Sequence, residues 1–421
     1  MSRAPRIRTG EAEPQVINPD GPAVVFCMPQ RGHFSRLRPL ISGLAGARTP
    51  TYVFTDRIFR EDVERAGGRF VDLFAGRPIE SADAISIPMP CRYVSFAGHY
   101  GDDVVREVAA LRPAIVVHDT FALIGTVVAN HLALPRVNVC AGHNYAPAPT
   151  AEALRLPRMT VSDECWRAVG VLRERHGLHE VTPFSYVSAL SPDLNVYCEP
   201  PEFLRPEERK VFEPIAFFGS LSVKDTGSET ASLSLFGADS AHRLRIYASF
   251  GTVVWRYYET EAVRVFEALS EALSEMNDAV ALVSLGGGGP TEHIPRLARR
   301  NVRVESYIDQ WNALGEASVY LTHQGLNSTH ESIFQGTPMI SYPFFADQPS
   351  LAKRCQELGL TVPLVQVLRG PVDPGHIRAA LARVAAEREA MRYRLAEARR
   401  WEIETIRRRA SVIERIVGLM R

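Results

Sequence analysis

Residues 322–348 read THQGLNSTHESIFQGTPMISYPFFADQ. The apolar run 319–322 predicts a strand, 328–335 a short helix and 339–342 a second strand. Between strand and helix, Gly325 permits a tight turn and close backbone approach, and Asn327 and Ser328 suit the helix N-cap. A strand, a crossover helix and another strand make a parallel βαβ unit. The free N–H groups at such a helix start form a phosphate site. His323 can donate to the same phosphates, and Glu331, one turn inside, can accept from two ribose hydroxyls. On its own the segment reads equally well as a capped turn.

The same alternation extends in both directions. Upstream, strands are predicted at 23–28, 51–55, 69–73, 114–118, 136–140 and 193–198, with helices near 36–46 and 121–132. The pattern restarts at 245–249, with strands at 280–284 and 302–307 and helices at 259–274 and 350–358; residues 375–419 read as almost all helix. Continuous apolar strands separated by helices mean parallel sheets covered on both faces. The expected fold class is α/β, with two Rossmann-like doubly wound domains facing each other and a cleft at the carboxyl ends of their strands. The expected division is a flexible tail 1–21, a first domain 22–219, a Ser/Thr/Gly-rich linker 220–240, a second domain 241–400 and a final helix 401–421.

Composition narrows the function. Over 421 residues, Lys+Arg and Asp+Glu both number 48, so the formal net charge is zero. That argues against a nucleic-acid binder and against general attraction to anionic membranes. Lys210, Lys224 and Lys353 are the only lysines, which disfavours Schiff-base chemistry. The six cysteines are scattered without a C-x-x-C pair, so neither a zinc site nor a disulfide framework is expected, and most should be buried thiols. No 18-residue apolar stretch and no hydrophobic leader is present, so a cytoplasmic location without stable membrane insertion is expected.

His323, Gly325, Asn327, Ser328, Glu331, Gly336, Pro338, Pro343, Asp347 and Gln348 stand at the spacing of the nucleotide-sugar signature of UDP-glycosyltransferases. The segment resembles the donor box of the inverting, two-Rossmann-domain (GT-B) members of that family, including bacterial antibiotic and macrolide glycosyltransferases. The resemblance implies that His323 and the Gly325/Asn327/Ser328 run hold the pyrophosphate, Glu331 the ribose, and Asp347 and Gln348 the sugar hydroxyls. Residues 307–314 resemble the base-stacking segment, with Tyr307 over the ring and Gln310 at the usual Gln; Asp309 replaces the family's common Pro. Ser249-Phe-Gly251-Thr252 resembles the diphosphate turn. The Gly286–Gly289 run fits no dinucleotide fingerprint and reads as a flexible loop.

In the first domain, Gly32-His33 in the loop after the first strand resembles the family's turn carrying the catalytic base. Histidine titrates near neutrality unaided and needs a carboxylate to fix its tautomer. Asp119, at the end of the 114–118 strand, is placed for that role; His118, its neighbour, should point elsewhere. Phe34, His143, Asn144 and the stretch 89–100 are candidate acceptor-lining residues. The expectation is a metal-independent inverting transferase moving a sugar from a UDP- or dTDP-sugar co-substrate, with no further cofactor, to a hydroxyl of a small natural product such as a polyketide or macrolide. The partners are thus donor and small-molecule acceptor, with no nucleic acid; a homodimer is left open. The alternatives are a nucleotide-sugar epimerase of the same fold and a non-catalytic auxiliary subunit. The final helix should return to the first domain, as in the family.

Overall fold

A computed structural model describes residues 19–144, 159–187, 190–220, 234–237 and 243–421. Most of the expected tail and linker lie outside them. Backbone contacts divide the described chain into two units. The first holds the residues up to Ala141, those from 159 to 220 and Thr405–Arg421; the second holds Gly142–Asn144 and the residues from 234 to Glu404.

The first unit is a seven-stranded parallel sheet of β1 (Ala23–Phe26), β2 (Thr51–Thr55), β3 (Arg69–Asp72), β4 (Ile115–Asp119), β5 (Arg136–Cys140), β6 (Leu194–Tyr197) and β7 (Ile215–Phe217), in the order β3-β2-β1-β4-β5-β6-β7. The strand order reverses between β1 and β4, which opens a crevice at their carboxyl ends. One sheet face buries Ala23, Val25 and Cys27 against α1 (Arg31–Gly46) and its Leu37, Leu40, Ile41 and Leu44. The chain's last helix adds Val412, Ile413 and Ile416 to the same core. Gly43 lets it approach, since a Cβ there would stand 2.6 Å from Ile413 Cδ1.

One sequence expectation fails here, and one long helix went unread. α1 begins at Arg31, so Gly32, His33 and Phe34 sit in its first turn, not in a loop. Residues 91–100 open a twenty-residue helix, α2 (Cys91–Ala110). Its glycines conceal the helical period because they serve packing: a Cβ on Gly98 would lie 2.6 Å from the Cβ of Ala168, in α4 (Asp163–Glu174). Between these helices in sequence lies α3 (Leu123–His131).

The second unit is a six-stranded parallel sheet of β8 (Leu244–Ser249), β9 (Ala279–Ser284), β10 (Val302–Glu305), β11 (Val319–Thr322), β12 (Met339–Ser341) and β13 (Thr361–Pro363), in the order β10-β9-β8-β11-β12-β13. Its reversal falls between β8 and β11. The crossover helices are α5 (Val254–Ser274), α6 (Gln310–Glu316), α7 (Leu326–Gln335) and α8 (Gln348–Glu357), followed by α9 (Pro374–Arg407) and α10 (Arg409–Gly418). α5 starts five residues before the expected 259 and is kinked at Tyr258 (φ −137°). All six cysteines are buried and none is in a disulfide. No helix among the described residues is long and apolar enough to cross a membrane.

Candidate active site

Each unit carries a cluster of polar groups at its own crevice. In the first, His33 Nδ1 lies 2.9 Å from Asp119 Oδ1. Asp119 is fully buried. Its Oδ2 accepts from Met28 N at 2.9 Å and its Oδ1 from Phe121 N at 2.7 Å. Burial alone would raise its pKa; the bond to His33 and the two backbone bonds override that and hold it below the ordinary carboxylate value. An ionised acceptor at Nδ1 puts the neutral imidazole's proton on that nitrogen and leaves the Nε2 lone pair turned away from Asp119. The His33 side chain is 13% exposed, so this nitrogen belongs to a ring that is not sealed in. His118 does point elsewhere. Its Nδ1 is 2.9 Å from Asp119 O, and burial lowers its pKa to about 4.

The aromatic beside His33 is not Phe34, which is in the core, stacked on Phe59 at 4.3 Å. It is Phe121, with ring centroids 4.0 Å apart. Tyr186 meets Phe121 edge-on at 5.4 Å, and Tyr93 stands 6.3 Å from it. Phe121 and Tyr186 gave no sequence signal. Tyr93 lay in the stretch read as acceptor-lining.

In the second unit, Ser284, Ser249, Thr322 and Ser341 stand in register across the carboxyl ends of β9, β8, β11 and β12. Three of these hydroxyls turn their own loops in the same way. Ser249 Oγ accepts from Gly251 N at 3.3 Å, Ser284 Oγ from Gly286 N at 3.2 Å, and Thr322 Oγ1 from Gln324 N at 3.1 Å. In each case the residue two further on takes a positive φ: +68°, +67° and +61°. The left-handed residue before α7 is therefore Gln324, not Gly325. Gly325 is needed for proximity, because a Cβ there would meet His323 Nε2 at 2.4 Å.

The glycine run 286–289 is a packed support for the Ser249–Thr252 turn, not the loose loop expected. A Cβ on Gly286 would strike Gly251 O at 2.4 Å, and one on Gly288 would strike Thr252 O at 2.8 Å. The His323 ring lies between Gly251 and Gly325. Burial lowers its pKa to about 4, against a backbone hydrogen bond at Ser249, so the imidazole is neutral.

Gly325, not Asn327 or Ser328, is the N-cap of α7, and it offers no side-chain cap. Asn327 and Ser328 occupy the first turn, whose amides no N-cap side chain covers. Behind them, Gln310 Nε2 donates to Glu331 Oε2 at 2.7 Å and lies 3.2 Å from Ser328 Oγ. Tyr307 is 70% exposed, a ring presented to solvent. Gln348 Oε1 accepts from Phe344 N at 2.9 Å and Phe345 N at 3.3 Å, so its carbonyl is engaged by its own loop. Asp347 Oδ2 accepts from His143 N at 3.1 Å; Asn144 beside it takes φ +45°. His330, next to Glu331 in sequence, pairs with Glu402 of α9 at 2.5 Å with both side chains fully buried. Among the described residues no group of three or more His, Cys, Asp or Glu is placed to hold a metal.

Two doubly wound parallel sheets, each with its polar groups at the strand-order reversal, define the fold of the GT-B glycosyltransferases. Residues 203–370 match the model of the UDP-glucoronosyl and UDP-glucosyl transferase family. The glycosyltransferase of kitacinnamycin superposes with a TM-score of 0.72 at 21% identity, over 94% of this chain and 99% of that one. A UDP-glucose:anthocyanidin 3-O-glucosyltransferase solved with UDP gives 0.69 at 17%, over 96% and 100%. In sequence, the zeaxanthin glucosyltransferase of Pantoea ananas is 27% identical over 184 residues, 44% of this chain and 38% of the relative. The zeaxanthin glucosyltransferase of Pseudescherichia vulneris is matched over 27% of its length. The chain thus spans well under half the length of these curated relatives.

Proposed function

We propose that the protein is a metal-independent inverting glycosyltransferase that moves a sugar from a UDP- or dTDP-sugar to a hydroxyl of a small, largely apolar natural product. The observation that carries this reading is the His33–Asp119 pair: a buried carboxylate held ionised by three donors and an imidazole whose Nε2 is left as the base. Nε2 takes the proton of the acceptor hydroxyl. The oxygen attacks the anomeric carbon from the face opposite the nucleotide, and the carbon–oxygen bond to the diphosphate breaks with its electron pair on the leaving oxygen. Asp119 offsets the imidazolium charge that results.

The leaving diphosphate is received by neutral donors: the first-turn amides of α7 with Asn327 and Ser328, the Ser249–Thr252 turn with Gly251, and His323. Tyr307 covers the base, Glu331 accepts from ribose hydroxyls, and Asp347 and Gln348 face the sugar. With its carbonyl engaged, Gln348 can only donate from its amide nitrogen. Phe121 packs against His33 with the buried rings of Tyr93 and Tyr186 around it, an apolar setting for the base that is in keeping with a polyketide- or macrolide-like acceptor. The spinosyn rhamnosyltransferase, whose solved structures include one with the spinosyn aglycone, shares this fold.

The test is incubation with UDP- and dTDP-sugars, alone and with hydroxylated natural-product acceptors, and NMR assignment of the product's anomeric configuration. An inverted glycoside formed only when acceptor is present supports the reading. Retention of configuration, or sugar isomerisation without acceptor, refutes it.

A further inference from the structure

The Gln310 side-chain amide is engaged at both ends inside the protein. Its nitrogen faces the Glu331 carboxylate at 2.7 Å and Ser328 Oγ at 3.2 Å. Its oxygen accepts from the Tyr320 hydroxyl at 2.9 Å. Only one amide orientation is compatible with these neighbours, because a carbonyl oxygen cannot bond a carboxylate, and the Tyr320 hydroxyl has a single proton to give. That proton goes to the short contact; Ser249 O lies further from the hydroxyl, at 3.4 Å. Tyr320 is fully buried on β11, stacked on Tyr247 with centroids 5.1 Å apart. Its hydroxyl is a rigidly placed donor.

We propose that Tyr320 and Gln310 are positioning residues that fix the rotamer of Glu331, and through it set the discrimination between ribonucleotide and deoxyribonucleotide donors. The relay runs Tyr320 OH to Gln310 Oε1 and Gln310 Nε2 to Glu331 Oε2, so neither residue needs to touch the nucleotide. A carboxylate pinned at one oxygen presents its remaining acceptor positions in a fixed direction. It then rewards a pair of vicinal hydroxyls over a single one. Weakening the relay loosens that hold, the carboxylate follows either hydroxyl more readily, and the advantage of the 2′-hydroxyl shrinks. This inference rests on the reading of Glu331 as the ribose acceptor.

The experiment is calorimetric titration of the full chain with UDP and with 2′-deoxy-UDP, for wild type, Tyr320→Phe, Gln310→Met and Glu331→Ala. Wild type should bind UDP more tightly than 2′-deoxy-UDP. In Tyr320→Phe and Gln310→Met that ratio should fall by roughly three- to tenfold, the value of one relay hydrogen bond. A general loss of packing would weaken both nucleotides alike and leave the ratio standing. An unchanged ratio in both relay variants overturns the proposal, as does a wild type that does not distinguish the two nucleotides. If Glu331→Ala alters neither affinity, the donor-site reading itself fails, a result separate from failure of the relay. Gln310→Met provides the reading should Tyr320→Phe not fold.

Discussion

Asp119→Asn should be both destabilising and nearly inactivating, and the geometry sets the size of each effect. The carboxylate accepts at both oxygens, from Met28 N at Oδ2 and from Phe121 N and His33 Nδ1 at Oδ1. An asparagine has one acceptor oxygen. If it faces Phe121 and His33, its NH₂ group confronts the Met28 N–H; if it flips, the NH₂ group confronts the other two. Either way at least one buried backbone donor is left unpaired, at about 1–3 kcal/mol. Urea denaturation should show that loss with an unchanged slope. The pH dependence has a defined sign. The folded-state pKa of Asp119 lies below its unfolded value, so the carboxylate's contribution is full above the unfolded value of about 3.9 and is lost as pH falls through the folded one. The gap between wild type and variant should hold from neutrality to the unfolded pKa and narrow only below it. Turnover should fall by about 10²–10⁴-fold, the worth of a general base, because the amide cannot offset the imidazolium and can hold the wrong tautomer. His33→Ala should cost a similar factor, and the double variant little more. An Asp119→Asn protein as stable as wild type that keeps more than about a tenth of its rate, well outside that range, would refute the reasoning.

Glu331→Ala should weaken UDP binding by roughly ten- to a hundredfold, the value of hydrogen bonds to a charged acceptor; calorimetry reads it directly. Activity should survive excess EDTA, since the donors assigned to the diphosphate are amides, hydroxyls and a neutral imidazole; loss on chelation and recovery with Mg²⁺ would contradict that assignment. Gly286→Ala and Gly287→Ala both place a side chain at positive φ, at about 1–2 kcal/mol each. Only the first drives a Cβ into Gly251 O; the second meets nothing nearer than Tyr307 at 3.7 Å. Gly286→Ala should therefore weaken UDP binding by roughly tenfold or more, while Gly287→Ala lowers the melting temperature alone.

How much was legible followed from how local each signal was. The strands could be read because a strand buried on both faces is a continuous apolar run, as in AVVF at Ala23–Phe26 and VYLT at Val319–Thr322. The His33–Asp119 pair was legible only through family resemblance, since the two residues are 86 positions apart and nothing local links them. Phe34 and Phe121 were interchanged for a related reason. Which of two aromatics flanks a histidine depends on the phase of a helix's first turn, and α1 starts earlier than its Gly32 suggests. Of the hydroxyl row from Ser284 to Ser341 only Ser249 carried a signal, through the turn it opens; the row itself had none. Four ordinary strand-terminal residues become one structure only when the strand order and register are known, and the Tyr320–Gln310 contact likewise needs β11 set beside the start of α6.

The two units place opposite electrostatics on the same topological feature. Both sheets reverse between their first and fourth strands, β1/β4 and β8/β11, and both direct backbone N–H groups into the resulting crevice. In the first unit the N–H groups of Met28 and Phe121 are consumed by a buried carboxylate. That crevice therefore holds a fixed negative charge, which favours an imidazolium beside it and disfavours a diphosphate. In the second unit the corresponding loops are turned by neutral hydroxyls, at Gly251 and Gln324. The first-turn amides of α7 have no side-chain cap, and the histidine present is driven neutral by burial. That crevice has no carboxylate among those loop-turning groups, so it suits an anion better than a general base. On the proposed function, a single exchange of chemistry at the strand ends, an aspartate in one unit against serine and threonine in the other, would assign proton removal to one copy of the fold and leaving-group binding to the other.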